Sequence, residues 1–144
     1  MGSGLNKLLE DLADKLPGFV ASAVVLADDG LTVAGLSRDA DVDADVASAY
    51  LATIVKSNLK AVKLLAGEQA TDDILITTDT NYYLVRHISG IPCFLFVMSQ
   101  KNEWLGRARL LMKEYERKVY EELKPRDRRK KDEAEAAAEK GNPS

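Results

Sequence analysis

The sequence predicts an α+β domain: a five-stranded antiparallel sheet with helices on both faces, in the order α-β-β-α-β-β-β-α, followed by a flexible charged tail. Three observations carry that expectation. Three segments repeat their apolar residues at the three-to-four spacing of a helix. Five short runs are rich in β-branched and aromatic residues, as half-buried strands are. The joints inside the groups of two and three strands are a few residues long, which suits hairpins and not the crossovers of about a dozen residues that parallel strands need.

Met1–Gly4, MGSG, reads as an initiator methionine with a cloning remnant, which places the domain at residues 5–124. LNKLLEDLADKL sets Leu5, Leu8, Leu9, Leu12 and Leu16 on one helical face, and Pro17-Gly18 stops it. FVASAVVLA (Phe19–Ala27) and LTVAGL (Leu31–Leu36) are strands joined at Asp29-Gly30, a strong hairpin signal. Asp43–Ala66 is the longest periodic segment, with Asp41 or Asp43 as its cap and Gly67 at its close. DILITT (Asp73–Thr78), NYYLVRHI (Asn81–Ile88) and IPCFLFVMS (Ile91–Ser99) read as three strands joined at Asp79-Thr80-Asn81 and Ser89-Gly90. Asn102 caps a final helix from about Glu103 to Leu123, ended by Pro125. Residues 125–144 then run basic (RDRRKK), acidic and alanine-rich (DEAEAAAEK), and loose (GNPS), the composition of a flexible tail.

At 144 residues the chain suits one domain with a core of its own. Its formal charge of -3 gives no general case for nucleic acid binding. A single cysteine, Cys93, excludes an intrachain disulfide; inside IPCFLFVM it reads as a buried strand residue, and a reducing, cytoplasmic setting is expected. No apolar run approaches the ~20 residues of a membrane helix, so no integral membrane association is expected, and no signal peptide is visible.

GLTVAGLS (Gly30–Ser37) is one residue from the phosphate-gripping G-x-x-x-x-G-K-[ST], with Leu36 in place of the lysine. No helix starts at Leu36-Ser37, and Leu-Thr-Val-Ala is strand-like, so the stretch reads as a hairpin. DADVDAD (Asp39–Asp45) opens like a calcium loop, but Ala44 replaces its glycine and Tyr50 its closing glutamate; capping explains the aspartates better. His87, the only histidine, and Cys93 cannot build an ordinary zinc site. No carboxylate pair is set in an apolar surround that would tune it for acid–base work. No catalytic residue, metal or cofactor is therefore expected.

The central helix is the informative element. At about 100° per residue its apolar positions sweep roughly 220°, twice the width that one sheet face needs. Ala47, Leu51, Ile54, Val62 and Leu65 form the middle of that arc and are expected on the sheet. Val46, Tyr50, Ser57, Ala61 and Leu64 lie to one side, with Thr53, Lys56 and Lys60 beyond. A small and apolar flank bordered by lysine suits a surface that meets another protein.

VVLADDGLTVAGLS, the long Ala-rich helix ending LLAGE, ILITTDTNYYLVRHI, and NEWLGRARLLM with Leu105, Gly106 and Arg109 resemble, in this order, the landmarks of the roadblock family, the dynein-light-chain roadblock type of domain. The resemblance covers about Leu5–Leu123 and implies a roadblock/longin/profilin-like fold. It implies a homodimer formed through the central helix and third strand, here Val46, Tyr50, Ser57, Ala61, Ile74 and Ile76. It further implies a platform for a small Ras-like GTPase, met by Tyr50, Thr53, Lys56, Ser57, Lys60, Ala61 and Leu64. Prokaryotic members of the MglB type stimulate such a GTPase and act in cell polarity or motility; others are scaffolds. The family supplies no catalytic residue to carry over, and Arg86 and Arg38 are the conceivable arginine fingers. The alternatives are a dimeric scaffold without effect on nucleotide turnover, and a small-molecule sensor with a pocket near His87, Tyr82 and Tyr83.

Overall fold

The structure is a computed structural model that describes residues 2–101 and 105–124. Its elements are α1 (Gly2–Lys15), β1 (Phe19–Leu26), β2 (Thr32–Ser37), α2 (Ala44–Ala66), β3 (Ile74–Thr77), β4 (Asn81–Ile88), β5 (Cys93–Gln100) and α3 (Leu105–Leu123). The predicted order holds throughout, although α1 begins before Leu5. The cap expected at Asn102, the stop at Pro125 and the tail at 125–144 lie outside the described residues.

All five strands pair antiparallel, in the spatial order β2-β1-β5-β4-β3. The continuous apolar run of β5 belongs at the middle of this sheet, where both faces are covered, and seven of its eight residues are buried. β3 and β2 are the two edges.

Both flanking hairpins are wider than their two-residue signals. Residues 27–31 join β1 to β2, where the Gly30 N–H donates to the Leu26 carbonyl and the Leu26 N–H to the Leu31 carbonyl, each at 2.9 Å. Gly30 has φ +74°, and a Cβ there would lie 3.0 Å from the Ala49 Cα. GLTVAGLS is thus a hairpin tip seated under a helix. Between β4 and β5 the connection extends through Pro92, which has no N–H to give a ladder; its carbonyl instead accepts from the Ala27 N–H at 3.0 Å.

Strand alternation creates two cores. On one face, leucines of α1 and Ala108, Met112, Tyr115 and Val119 of α3 pack with Val24, Leu84, Ile88, Leu95 and Val97. On the other, Leu51, Ala52 and Val55 of α2 cover Ala21, Ala23, Val25, Phe94 and Phe96. Helices therefore lie on both faces, α1 and α3 against one and α2 alone against the other. α2 sits over β1 and β2, away from the middle of the sheet. That placement leaves one flank of α2 open beside β3 and β4.

Candidate functional site

The start of α2 is held as the aspartates suggested. Asp43 is the cap, its Oδ1 accepting from the N–H of Asp45 at 2.9 Å and of Val46 at 3.3 Å. Asp39 accepts from the Asp41 N–H at 2.9 Å in a turn, so two aspartates of DADVDAD satisfy backbone donors.

The buried side of α2 differs from the expected one. Ser48, Leu51, Ala52 and Val55 face the sheet, whereas Ile54 and Leu65, expected there, are exposed. Ala47 and Val62 are half-buried, and Leu51 alone of the expected five is fully covered. The buried direction is turned by about 70° from the centre of the apolar arc. The cause is close packing. Small residues at 48 and 52 let the helix settle onto alanine-rich β1 and the Gly30 tip, and Ser48 disposes of its hydroxyl on the Ala44 carbonyl at 2.7 Å. Larger apolar residues are rotated away from the sheet.

The result is an uncovered stripe. Tyr50 is 74% exposed, Leu64 85% and Leu65 87%, and Val46 and Ile54 are also exposed. Ser57 and Ala61 continue the stripe and are exposed as well. Beside it, Ile74 and Ile76 of β3 and Tyr83 of β4 are only half-buried against the α2-side core. Tyr50 and Ile76 meet in a depression of about 340 Å³ that Ala47, Leu51, Thr78 and Tyr83 complete. The outer edge of β3 has no neighbouring strand among the described residues. An open apolar flank and an open strand edge are thus contiguous, the combination that invites a second chain.

Thr53 and Lys60 are exposed on the side of α2 farthest from the sheet, and Lys56 reaches back to donate to the Asp28 carbonyl of the first hairpin. With Ser57, Leu64, Tyr50 and Ala61 they occupy one exposed arc of about 140°. The residues expected to meet a GTPase and those expected at a dimer contact therefore share one continuous surface.

Two ion-pair devices secure the edge strand, and neither is signalled by local pattern. Arg109 of α3 donates from Nε and Nη2 to the two carboxylate oxygens of Asp73, at 3.0 and 3.2 Å, just before β3. Arg86 binds both Glu116 and Asp72, bridging β4, α3 and the approach to β3. Its guanidinium is held above its ordinary range: burial pulls it down, and the hydrogen bonds and charges of Glu116 and Asp72 outweigh that. On the α2 side, Thr71 donates to the Asn58 side chain at 2.8 Å.

Of the two conceivable fingers, only Arg86 is held inward. Arg86 is committed as described, and Arg38 pairs with Asp14 at 2.8 Å while lying over the Phe19 ring. The three sensor residues are not brought together. His87 lines a cavity of about 470 Å³ with Leu59, Val62, Lys63, Thr71 and Ser89, Tyr83 lies in the separate depression beside Tyr50, and Tyr82 alternates to the opposite face. Cys93 is buried in β5. Among the described residues no three His, Cys, Asp or Glu side chains converge on a point that would hold a metal.

No protein-family model matches the sequence, and neither does any curated protein. Solved structures do match the fold. Myxococcus xanthus MglB superposes with a TM-score of 0.76 at 15% identity, over 85% of this chain and 90% of that one. A Roadblock/LC7 domain from Streptomyces avermitilis gives 0.71 at 17% identity, over 82% and 96%. The gliding protein MglB of Thermus thermophilus gives 0.69 at 16% identity, over 80% and 84%. At these identities the likeness is one of fold. The chain has the roadblock/longin-like fold, with MglB and Roadblock/LC7 domains among its structural neighbours, as its sequence landmarks implied.

Proposed function

We propose that this protein is a homodimeric, non-catalytic regulator of a small Ras-like GTPase, acting in the cytoplasm. The observation that carries the reading is the continuity of the open α2 flank with the free edge of β3, on a fold shared with MglB. A second copy covers Val46, Tyr50, Ser57, Ala61, Ile74 and Ile76. Two β3 edges then pair, and the exposed apolar area leaves water at roughly 25 cal/mol per Å². The likeness to a gliding protein supports a role in motility.

Thr53, Lys56, Ser57, Lys60 and Leu64 from both chains form the surface that meets the GTPase, with Tyr50 and Ala61 at its border with the dimer contact. Switch segments of such GTPases are mobile, so a rigid paired-helix surface acts by selecting the arrangement competent for hydrolysis. The engagement of Arg86 by Glu116 and Asp72 within the chain favours stimulation through the partner's own catalytic groups over an arginine inserted from that position.

The test is a titration of candidate GTPases, loaded with GTP or GDP, against the wild-type chain and a Lys60→Glu, Ala61→Asp variant. Binding of the GTP form that the variant loses supports the reading. Absence of any nucleotide-dependent partner, or binding that the variant leaves intact, removes it. Measuring GTP turnover with and without the chain separates an activator from a scaffold.

A further inference from the structure

The sheet face opposite α2 carries a second surface of different chemistry. α3 buries Ala108, Met112, Tyr115 and Val119, and the direction opposite to them is occupied by Leu110, Lys113 and Arg117, all within an arc of about 60°. Arg107 flanks that arc at its start. Leu110 is 69% exposed, the only large apolar side chain among the described residues of α3 left in water.

The charges on this helix are not balanced where they are exposed. Glu116 is taken by Arg86, Glu114 by Lys15 and Lys118, and Glu121 by Lys124. Arg107, Lys113 and Arg117 have no ion-pair partner among the described residues. The outer face thus carries three cations outside any ion pair around one protruding leucine, with the paired carboxylates Glu121 and Glu114 along its border. In the sequence it leads directly to Arg126, Arg128, Arg129, Lys130 and Lys131.

We propose that this α3 face docks the protein peripherally on an anionic lipid surface. No helix among the described residues is long and apolar enough to cross a membrane, so attachment rests on headgroup contact and shallow insertion of Leu110. Clustered basic residues beside a membrane gain from the negative surface potential, and a single apolar insertion adds a second weak signal. A stable protein partner fits less well. Such interfaces bury roughly 800 Å² per side around an apolar centre, and α3 offers one large apolar side chain on a convex helix. Lipid headgroups need no fixed geometry and tolerate scattered cations. Docking through α3 leaves α2 and β3, on the other face, open to protein partners.

The experiment is co-sedimentation of the full chain with vesicles of phosphatidylcholine alone or mixed equally with phosphatidylglycerol, across a salt series. Binding is expected only to the anionic vesicles and is expected to weaken as salt rises. Lys113→Glu with Arg117→Glu should weaken it by more than about tenfold, and Leu110→Ser should weaken it less. A third variant replaces the five basic residues of 126–131 with serine. Circular dichroism checks that each variant is folded.

Three outcomes overturn the proposal. One is wild-type protein that ignores anionic vesicles. Another is wild-type protein that ignores vesicles but binds poly-glutamate, which assigns the face to an acidic polypeptide, the chain's own Asp132–Glu139 included. The last is vesicle binding that survives in the folded α3 variant and disappears only in the serine variant, which assigns it to the basic run alone.

Discussion

Arg109 and Asp73 form a two-bond fork that ties α3, on one face of the sheet, to the entrance of edge strand β3. Asp73 is nearly buried, with 12% of its side chain exposed, and β3 has a strand neighbour on one side only. The fork therefore positions the strand on which the proposed dimer contact depends.

Removing either partner should loosen β3 before the rest of the fold. Asp73→Ala is expected to cost about 1–3 kcal/mol, because a charge-assisted pair is lost and Arg109 is left without its acceptor. Arg109→Lys should recover only part of the loss, since an ammonium cannot span both oxygens. Hydrogen exchange at Ile74–Thr77 should accelerate in both variants. A double variant whose cost equals the sum of the two single costs would show that the fork contributes nothing.

Gly30→Ala should be destabilising by roughly 1–3 kcal/mol. The residue has φ +74°, and the new Cβ would press on the Ala49 backbone at 3.0 Å, where no side chain can swing aside. Urea denaturation reads the change. An alanine variant as stable as wild type would mean that the tip is not seated under α2.

Asp43→Ala removes the acceptor for two N–H groups at the start of α2 and should cost about 1 kcal/mol. Asp43→Asn should retain most of that, as a side-chain oxygen remains. Equal losses in the two variants would assign the effect to the carboxylate charge at the helix end instead of to the hydrogen bonds.

Tyr50→Glu and Ile76→Lys place charges in the depression shared by α2 and β3. Tyr50 is exposed and Ile76 only half-buried in the single chain, so thermal unfolding of the monomer should change little. Self-association should fall by a factor of about 100 or more, because each charge would be desolvated at an apolar contact. Sedimentation equilibrium measures it. A wild-type protein that is monomeric at high concentration, or a dimer indifferent to both substitutions, would sink the proposed interface.

Much of the architecture was legible in the chain itself. Strand and helix patterns, the stops at Pro17 and Gly67, the Asp43 cap and the hairpin signal at Gly30 are local, and local signals survive into the folded state because tertiary packing agrees with them. The near P-loop resolved for the same reason: a strand-like stretch between two glycines became a strand. The open stripe of α2 was legible as an excess of apolar arc, a quantity that needs no partner to compute.

What only the tertiary structure decided is direction and pairing over distance. The sequence marked Leu51 and Ile54 alike as apolar; Leu51 is buried and Ile54 exposed because Ser48 and Ala52 are small enough to approach β1 and the Gly30 tip. Periodicity ranks residues by hydrophobicity, whereas packing ranks them by how closely two backbones can come together. Arg109 and Asp73 stand 36 residues apart, and Arg86 and Glu116 stand 30 apart. No local pattern couples them. Their pairing, like the adjacency of β1 and β5, exists only once the sheet has brought distant strands into register.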